Sequence, residues 1–249
     1  TYDQPISLFA GSAVPLAPGG NVYSTGTGGV SVGANLTSNG GDITIENGST
    51  GGNLNSLGNP GGGGVNNAIV DASTPVLGGN GGNIVMAGTA MLIPDGNYYL
   101  YVTRALVIGN STIKTNGLGA ITMNGVSGTD PAYGQGGLAM GNSTISTTNG
   151  AITLTGTAQA TSMGGIGGQA FQFDNTTISS TTGNITLTGI STLSGERPFG
   201  SSGATVSSTS GNIAIYAQDV GDGTGVNLSN VQVQTGGDVT VSPPGPGVG

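Results

Sequence analysis

A five-residue pattern, Gly-x-Ile-x-apolar, returns along most of the chain. It reads GDITI at Gly41–Ile45, GNIVM at Gly82–Met86, GAITM at Gly119–Met123 and GAITL at Gly150–Leu154. It continues as GNITL at Gly183–Leu187, GNIAI at Gly211–Ile215 and GDVTV at Gly237–Val241. The first apolar residues are Ile43, Ile84, Ile121, Ile152, Ile185, Ile213 and Val239, separated by 41, 37, 31, 33, 28 and 26 residues. A unit that recurs at such spacings is the signature of a repeat architecture, in which each copy buries its apolar face only by stacking on its neighbours.

The repeat has more than one apolar site. Leu36, Leu77, Ile145, Ile178 and Val206 lie seven residues before their partners, Ile113 eight before and Val233 six before. Further upstream stand the pairs Leu106/Ile108, Leu138/Met140, Phe171/Phe173 and Val226/Leu228. Each apolar-x-apolar triplet has the period of two that puts one face of a short strand inward. Glycine, 52 of 249 residues, interrupts every potential helix, and Glu, Lys and Arg total five. With no crossover helix, consecutive strands cannot build α/β units. The expected fold is all-β: a right-handed parallel β-helix (β-solenoid) of about seven coils, with Gly/Asn-rich loop insertions at Asn47–Asn67, Gly125–Gly137 and Gly156–Gln169. Residues 1–29 would form an N-terminal cap or assembly segment, 30–241 the solenoid, and 242–249 a Pro/Gly-rich tail. The first third carries the most degenerate repeats and could also form a separate small β domain.

Asn110, Asn142, Asn175 and Asn230 share one slot, three residues before the second apolar position. Two readings are open. Stacked coils would align these amides in a hydrogen-bonded ladder, or asparagine serves there because it tolerates a left-handed turn. Three of these residues also begin Asn-x-Ser/Thr sequons, as do Asn35, Asn47, Asn184 and Asn227. A buried ladder would deny the slot sites to a glycan, leaving exposed loops as acceptors.

The units STISTTNGAITLTG, TTISSTTGNITLTG and VQTGGDVTV resemble the repeats of filamentous haemagglutinin-type exoproteins, the β-helical adhesins exported by two-partner secretion. The resemblance covers roughly Val30–Val241 and is best from Leu106 onward. It implies secretion to the bacterial cell surface and roles in adhesion, aggregation or biofilm structure. The chain departs from that family in the Asn-Pro motifs of its amino-terminal secretion domain: Asn59-Pro60 stands alone in a glycine-rich stretch.

Composition removes many chemistries. Histidine, cysteine and tryptophan are absent, so imidazole or thiolate catalysis, disulfides and Cys- or His-ligated metals are excluded. Three basic against eleven acidic residues cannot neutralise a phosphate backbone, so nucleic acid is not an expected partner. No apolar run is long enough for a membrane-spanning helix, so membrane insertion is not expected either. No cofactor is implied. Asp42 and Asp238 occupy the x of Gly-x-Ile and read as turn residues. Asp174 and Glu196 are the carboxylates that a polysaccharide-cleaving groove would have to bring together. Asp219 and Asp222 resemble a calcium loop without its spacing. Tyr98, Tyr99 and Tyr101 alternate like a strand and could contact a sugar or a neighbouring subunit.

The expected function is therefore a non-enzymatic extracellular structural protein: a β-helical surface fibre or adhesin that associates with itself, with cell-surface glycans or receptors as further partners. A carbohydrate-active β-helix enzyme and a passive glycan-binding module are the alternatives.

Overall fold

The structure, a computed structural model, describes residues 5–10, 22–24, 31–47, 64–89, 104–127, 136–159, 169–192, 197–219 and 226–242. These residues hold strands and turns and no helix.

Three parallel sheets run the length of the solenoid, and the chain visits them in a fixed order. Sheet B is built from β3 (Ser31–Val32), β6 (Gly64–Asn66), β9 (Arg104–Gly109), β12 (Gly136–Gly141), β15 (Gln169–Asp174), β18 (Arg197–Ser202) and β21 (Val226–Ser229). Sheet C follows with β4 (Leu36–Thr37), β7 (Ile69–Asp71), β10 (Thr112–Lys114), β13 (Thr144–Thr147), β16 (Thr177–Ser180), β19 (Thr205–Ser208) and β22 (Gln232–Thr235). Sheet A closes each turn with β5 (Ile43–Asn47), β8 (Ile84–Thr89), β11 (Ile121–Val126), β14 (Ile152–Ala158), β17 (Ile185–Ser191), β20 (Ile213–Asp219) and β23 (Val239–Ser242). Two further strands, β1 (Ile6–Ala10) and β2 (Val22–Ser24), extend sheet A beyond β5. The fold is the expected parallel β-helix, and the described strands of the first third belong to the same three sheets.

The register follows the repeat. Ile43, Ile84, Ile121, Ile152, Ile185, Ile213 and Val239 lie side by side across sheet A. In sheet C the aligned column is Leu36, Val70, Ile113, Ile145, Ile178, Val206 and Val233. Leu77, assigned to this column from its spacing, is fully exposed, and Val70 stands in its place. The second unit carries a longer turn between sheets C and A, so 14 residues rather than seven separate Val70 from Ile84. A fixed offset failed there because turn length varies while the column is conserved.

The inward columns form one continuous core, in which Phe171 and Phe173 of β15 cluster with Phe199 of β18 at ring-centroid distances of 5.3 to 6.3 Å. Two glycine columns allow the tight corners. Between sheets C and A, a Cβ on Gly150 would lie 1.8 Å from the Gly119 carbonyl oxygen, and one on Gly183 would lie 1.9 Å from that of Gly150. Where sheet A meets sheet B, a Cβ on Gly156 would lie 2.1 Å from the Ala170 carbonyl oxygen. The glycine of Gly-x-Ile is thus set by the approach of one turn to the next. Gly125 and Gly156, expected to open loops, lie inside β11 and β14.

Candidate functional site

The asparagine slot is a left-handed turn. Asn110, Asn142, Asn175 and Asn230 have φ of 46°, 49°, 47° and 54°. Asn67, at 51°, and Gly203, at 69°, fill the same slot in units that the sequence alignment had missed. This conformation penalises residues other than Gly, Asn and Asp. Backbone bonds join the slots: the Asn110 N–H donates to the Gly141 carbonyl (2.9 Å), that of Asn142 to Asp174 (3.0 Å) and that of Asn175 to Ser202 (2.9 Å). Their side chains are exposed rather than buried, so the reason for excluding glycans from Asn110, Asn142 and Asn175 does not hold.

Side-chain ladders do occur, in columns the sequence reading treated as simple turns. At the x of Gly-x-Ile, Asp42 Oδ1 accepts from the Asn83 N–H (2.7 Å) and Asn83 Oδ1 from the Ala120 N–H (3.1 Å). Two alanines, Ala120 and Ala151, interrupt the column. It resumes where Asn184 Oδ1 accepts from the Asn212 N–H (2.9 Å) and Asn212 Oδ1 from the Asp238 N–H (3.0 Å). A buried hydroxyl column runs beside it. Thr115 Oγ1 donates to the Gly82 carbonyl (2.8 Å), Thr147 Oγ1 to that of Gly150 (2.7 Å) and Ser208 Oγ to that of Gly183 (3.1 Å). These bonds satisfy backbone groups that the sharp corners leave without strand partners. The signal was present in the sequence as a recurrent Ser or Thr three or four residues before the glycine: Thr115 before Gly119, Thr147 before Gly150 and Ser208 before Gly211.

The described charges are dispersed. Lys114 and Asp71 pair across β10 and β7 at 3.0 Å. Burial raises the Asp71 pKa, but hydrogen bonds from the Ser73 N–H and hydroxyl, together with Lys114, outweigh it and hold the carboxyl below its usual 3.8. Asp174 accepts from the Ser202 N–H at 2.9 Å and from Gln172 Nε2. Glu196, its suggested partner, lies outside the described residues, as do Tyr98, Tyr99, Tyr101 and Asp222. Asp219 is buried at the end of β20, beside Ser191. Among the described residues no group of three or more Asp, Glu, His or Cys could hold a metal ion. The described residues hold no helix long and apolar enough to cross a membrane, which says nothing of strands.

Two surfaces depart from the regular pattern. One is a groove of about 310 Å³ on the outer face of sheet B, whose lining includes Asn66, Val107, Ala139, Asn142, Gln172 and Asp174. The other is the last described rung, where β21, β22 and β23 are the outermost strands of their sheets among the described residues. The core column ends there half open: Val239 is 50% and Val241 53% exposed, whereas Ile213 and Ile215, one strand earlier, are fully buried. Leu228, Val231 and Val233 are only partly buried. At the opposite end, Ile43 is fully buried beneath β1, whose Ile6 and Leu8 continue the sheet A column.

Comparison with protein-family models, with curated proteins and with solved structures finds no match to this chain.

Proposed function

We propose that the protein is a non-enzymatic extracellular structural protein, a β-helical fibre or adhesin segment of the bacterial surface whose copies join end to end. The observation that carries this reading is the last described rung, where β21, β22 and β23 are the outermost described strands and the inward-column residues Val239 and Val241 are half exposed. An edge of this kind is a template for another chain. A contact between two different ends of one molecule is heterologous and propagates into a filament unless its rotation closes a ring. The resemblance to haemagglutinin-type repeats supports the surface location and rests on the repeat residues alone.

Electron microscopy and light scattering across a dilution series test the proposal. The wild-type chain should form filaments that shorten on dilution. Val239→Lys with Val241→Lys should abolish them and leave the β-sheet circular dichroism unchanged, since both side chains are already half exposed. Monodisperse single rods from the wild-type chain at every concentration would sink the proposal.

The sheet B groove favours a second reading, a glycan-binding module. Its floor of Val107 and Ala139 is apolar and its rim carries the amides of Asn66, Asn142 and Gln172, a combination suited to an uncharged sugar. Ala139→Arg would fill the groove, so unchanged binding of neutral oligosaccharides after that substitution would remove this reading.

A further inference from the structure

Three large apolar side chains project from one corner of the solenoid. Val76, Leu77 and Leu118 are 61%, 102% and 66% exposed. All three lie where the chain passes from sheet C to sheet A, in two successive turns of the solenoid. The same corner reads Thr148-Asn149, Thr181-Thr182 and Thr209-Ser210 in the three turns that follow. Hydroxyls and an amide therefore stand there where the two earlier turns carry aliphatic groups.

The apolar corner is held in shape. The Gly79 N–H donates to the Val76 carbonyl (2.9 Å) and closes a β-turn with Leu77 and Gly78 at its tip. Gly78 has a φ of 75°, the left-handed value that glycine supplies at the third position of such a turn. Asn116, in the next turn of the solenoid, clamps the base: its Oδ1 accepts from the Thr74 N–H (3.0 Å) and its Nδ2 donates to the Thr74 carbonyl (2.9 Å). Asn80 Oδ1 accepts from the Leu118 N–H (3.1 Å) and ties the two corners together. The result is a fixed apolar knob. An exposed apolar cluster marks a contact surface, and one already held in place loses little freedom when it binds.

The matching recess is the groove on sheet B, with Val107 and Ala139 in its floor. At about 310 Å³ it lies at the lower end of the range for ligand sites, roughly 300–1,000 Å³, and suits a compact apolar group. The chain carries a net charge of −8, so two copies repel across most faces. The knob has no charged residue and the groove lining has one, Asp174, so these two features meet without setting like charges together.

We propose that the knob formed by Val76, Leu77 and Leu118 docks into the sheet B groove of a second copy lying beside it. The occupant is another copy because this chain supplies both halves of the contact. The halves lie on different faces, so the contact is heterologous: each molecule offers its knob to one neighbour and its groove to another. Three aliphatic side chains bury far less than the roughly 1,200–2,000 Å² of a stable interface, so a single contact is weak. Repeated along two filaments, it becomes multivalent and bundles them side by side. The contact itself is independent of the end-to-end reading above, and the bundling rests on it.

The chain contains no cysteine, so single introduced thiols report the contact cleanly. Leu77→Cys and Ala139→Cys are made in separate chains, each also carrying Val239→Lys and Val241→Lys to remove end-to-end joining. Mixed and oxidised, they should give a disulfide-linked pair on the order of tenfold more abundant than either chain gives alone. Leu77→Asp alone, at a fully exposed position, should leave the circular dichroism unchanged and turn bundles into single filaments of the same length under the electron microscope. A mixed pair no more abundant than the separate chains give, or bundling that survives Leu77→Asp, would overturn the proposal. Cellotetraose bound by the wild-type and Leu77→Asp chains but not by Ala139→Arg, with no mixed pair, would assign the groove to a sugar instead. If the wild-type chain forms no filaments, the end-to-end reading falls and the mixed-pair cross-link alone decides the knob and groove.

Discussion

Ile43 and Val239 occupy the same place in the first and the last copy of the Gly-x-Ile repeat, in β5 and β23 of sheet A. Ile43 is fully buried, because β1 adds one more strand beyond it. Val239 is half exposed, and among the described residues no strand follows β23 in the sheet. The local sequences, GDITI and GDVTV, are nearly identical. The repeat therefore specifies a strand and its inward residues, whereas burial is supplied by the next rung. This is nearest-neighbour stability, in which a terminal unit receives half the contacts of an interior one.

Substitutions of the same kind made inside the solenoid and at its open end sharpen this contrast. The largest difference is expected in the apolar column. Ile185→Ala should cost about 4 kcal/mol, as for other fully buried aliphatic residues, whereas Val239→Ala should cost under about 1 kcal/mol in the unassembled chain. Urea midpoints of the two variants check this, and equal losses would show that the open end is covered in solution. The corner glycines come next. Gly150→Ala forces a Cβ into the backbone of the preceding turn and should cost about 3 kcal/mol. At Gly237 the contacts are looser, with the Asn212 side-chain oxygen 2.6 Å and the Gly211 carbonyl oxygen 2.9 Å away, so Gly237→Ala should cost less, about 1–2 kcal/mol.

The asparagine slot gives a smaller effect and separates its two explanations. If left-handed geometry is the reason for asparagine, Asn142→Ala should cost about 1–2 kcal/mol, while Asn142→Gly should be nearly neutral. The same pair at Asn230 should behave alike, since its φ of 54° is close to the 49° of Asn142 and the strain is local. If an amide ladder is the reason, Gly should be as costly as Ala, and both should matter less at Asn230, which has a described neighbouring rung on one side. Thermal denaturation of the four variants decides between them.

The smallest effect is electrostatic. The folded carboxyl of Asp71 has a lowered pKa, so its contribution to stability is present above the unfolded value of about 3.8 and is lost as pH falls through the folded value. The stability advantage of the wild-type chain over Asp71→Asn should thus persist from neutral pH to about pH 4 and shrink below it. A difference that grows on acidification would contradict this assignment.

Much of the fold could be read in advance because the repeat is built from residue types with one physical role each. Ile or Val at alternate positions marks the strands, and glycine marks the corner where two backbones approach too closely for a Cβ. Leu77 shows where this reading fails. Spacing places an apolar residue on a column only when the intervening turn has constant length, and the turn after Val70 does not. The hydroxyl column and the ladder at Asp42, Asn83, Asn184, Asn212 and Asp238 were visible as letters but not as bonds. Apart from Thr147, which bonds Gly150 three residues on, their partners are backbone groups 25 to 41 residues away in sequence.

The candidate site was less legible. Asn110, Asn142, Asn175 and Asn230 were found by their shared position, but a pattern of letters does not distinguish a side chain that faces inward from one turned outward by a positive φ. Local alternation, turn chemistry and recurrence were enough to specify strands, corners and the order in which they stack, since each depends on a few adjacent residues. The place of β1 inside β2, the exchange of Val70 for Leu77 and the exposure of Val239 follow from which strand lies next to which. That is a relation between distant segments, and a chain with nearly identical repeats carries little local information about its own ends.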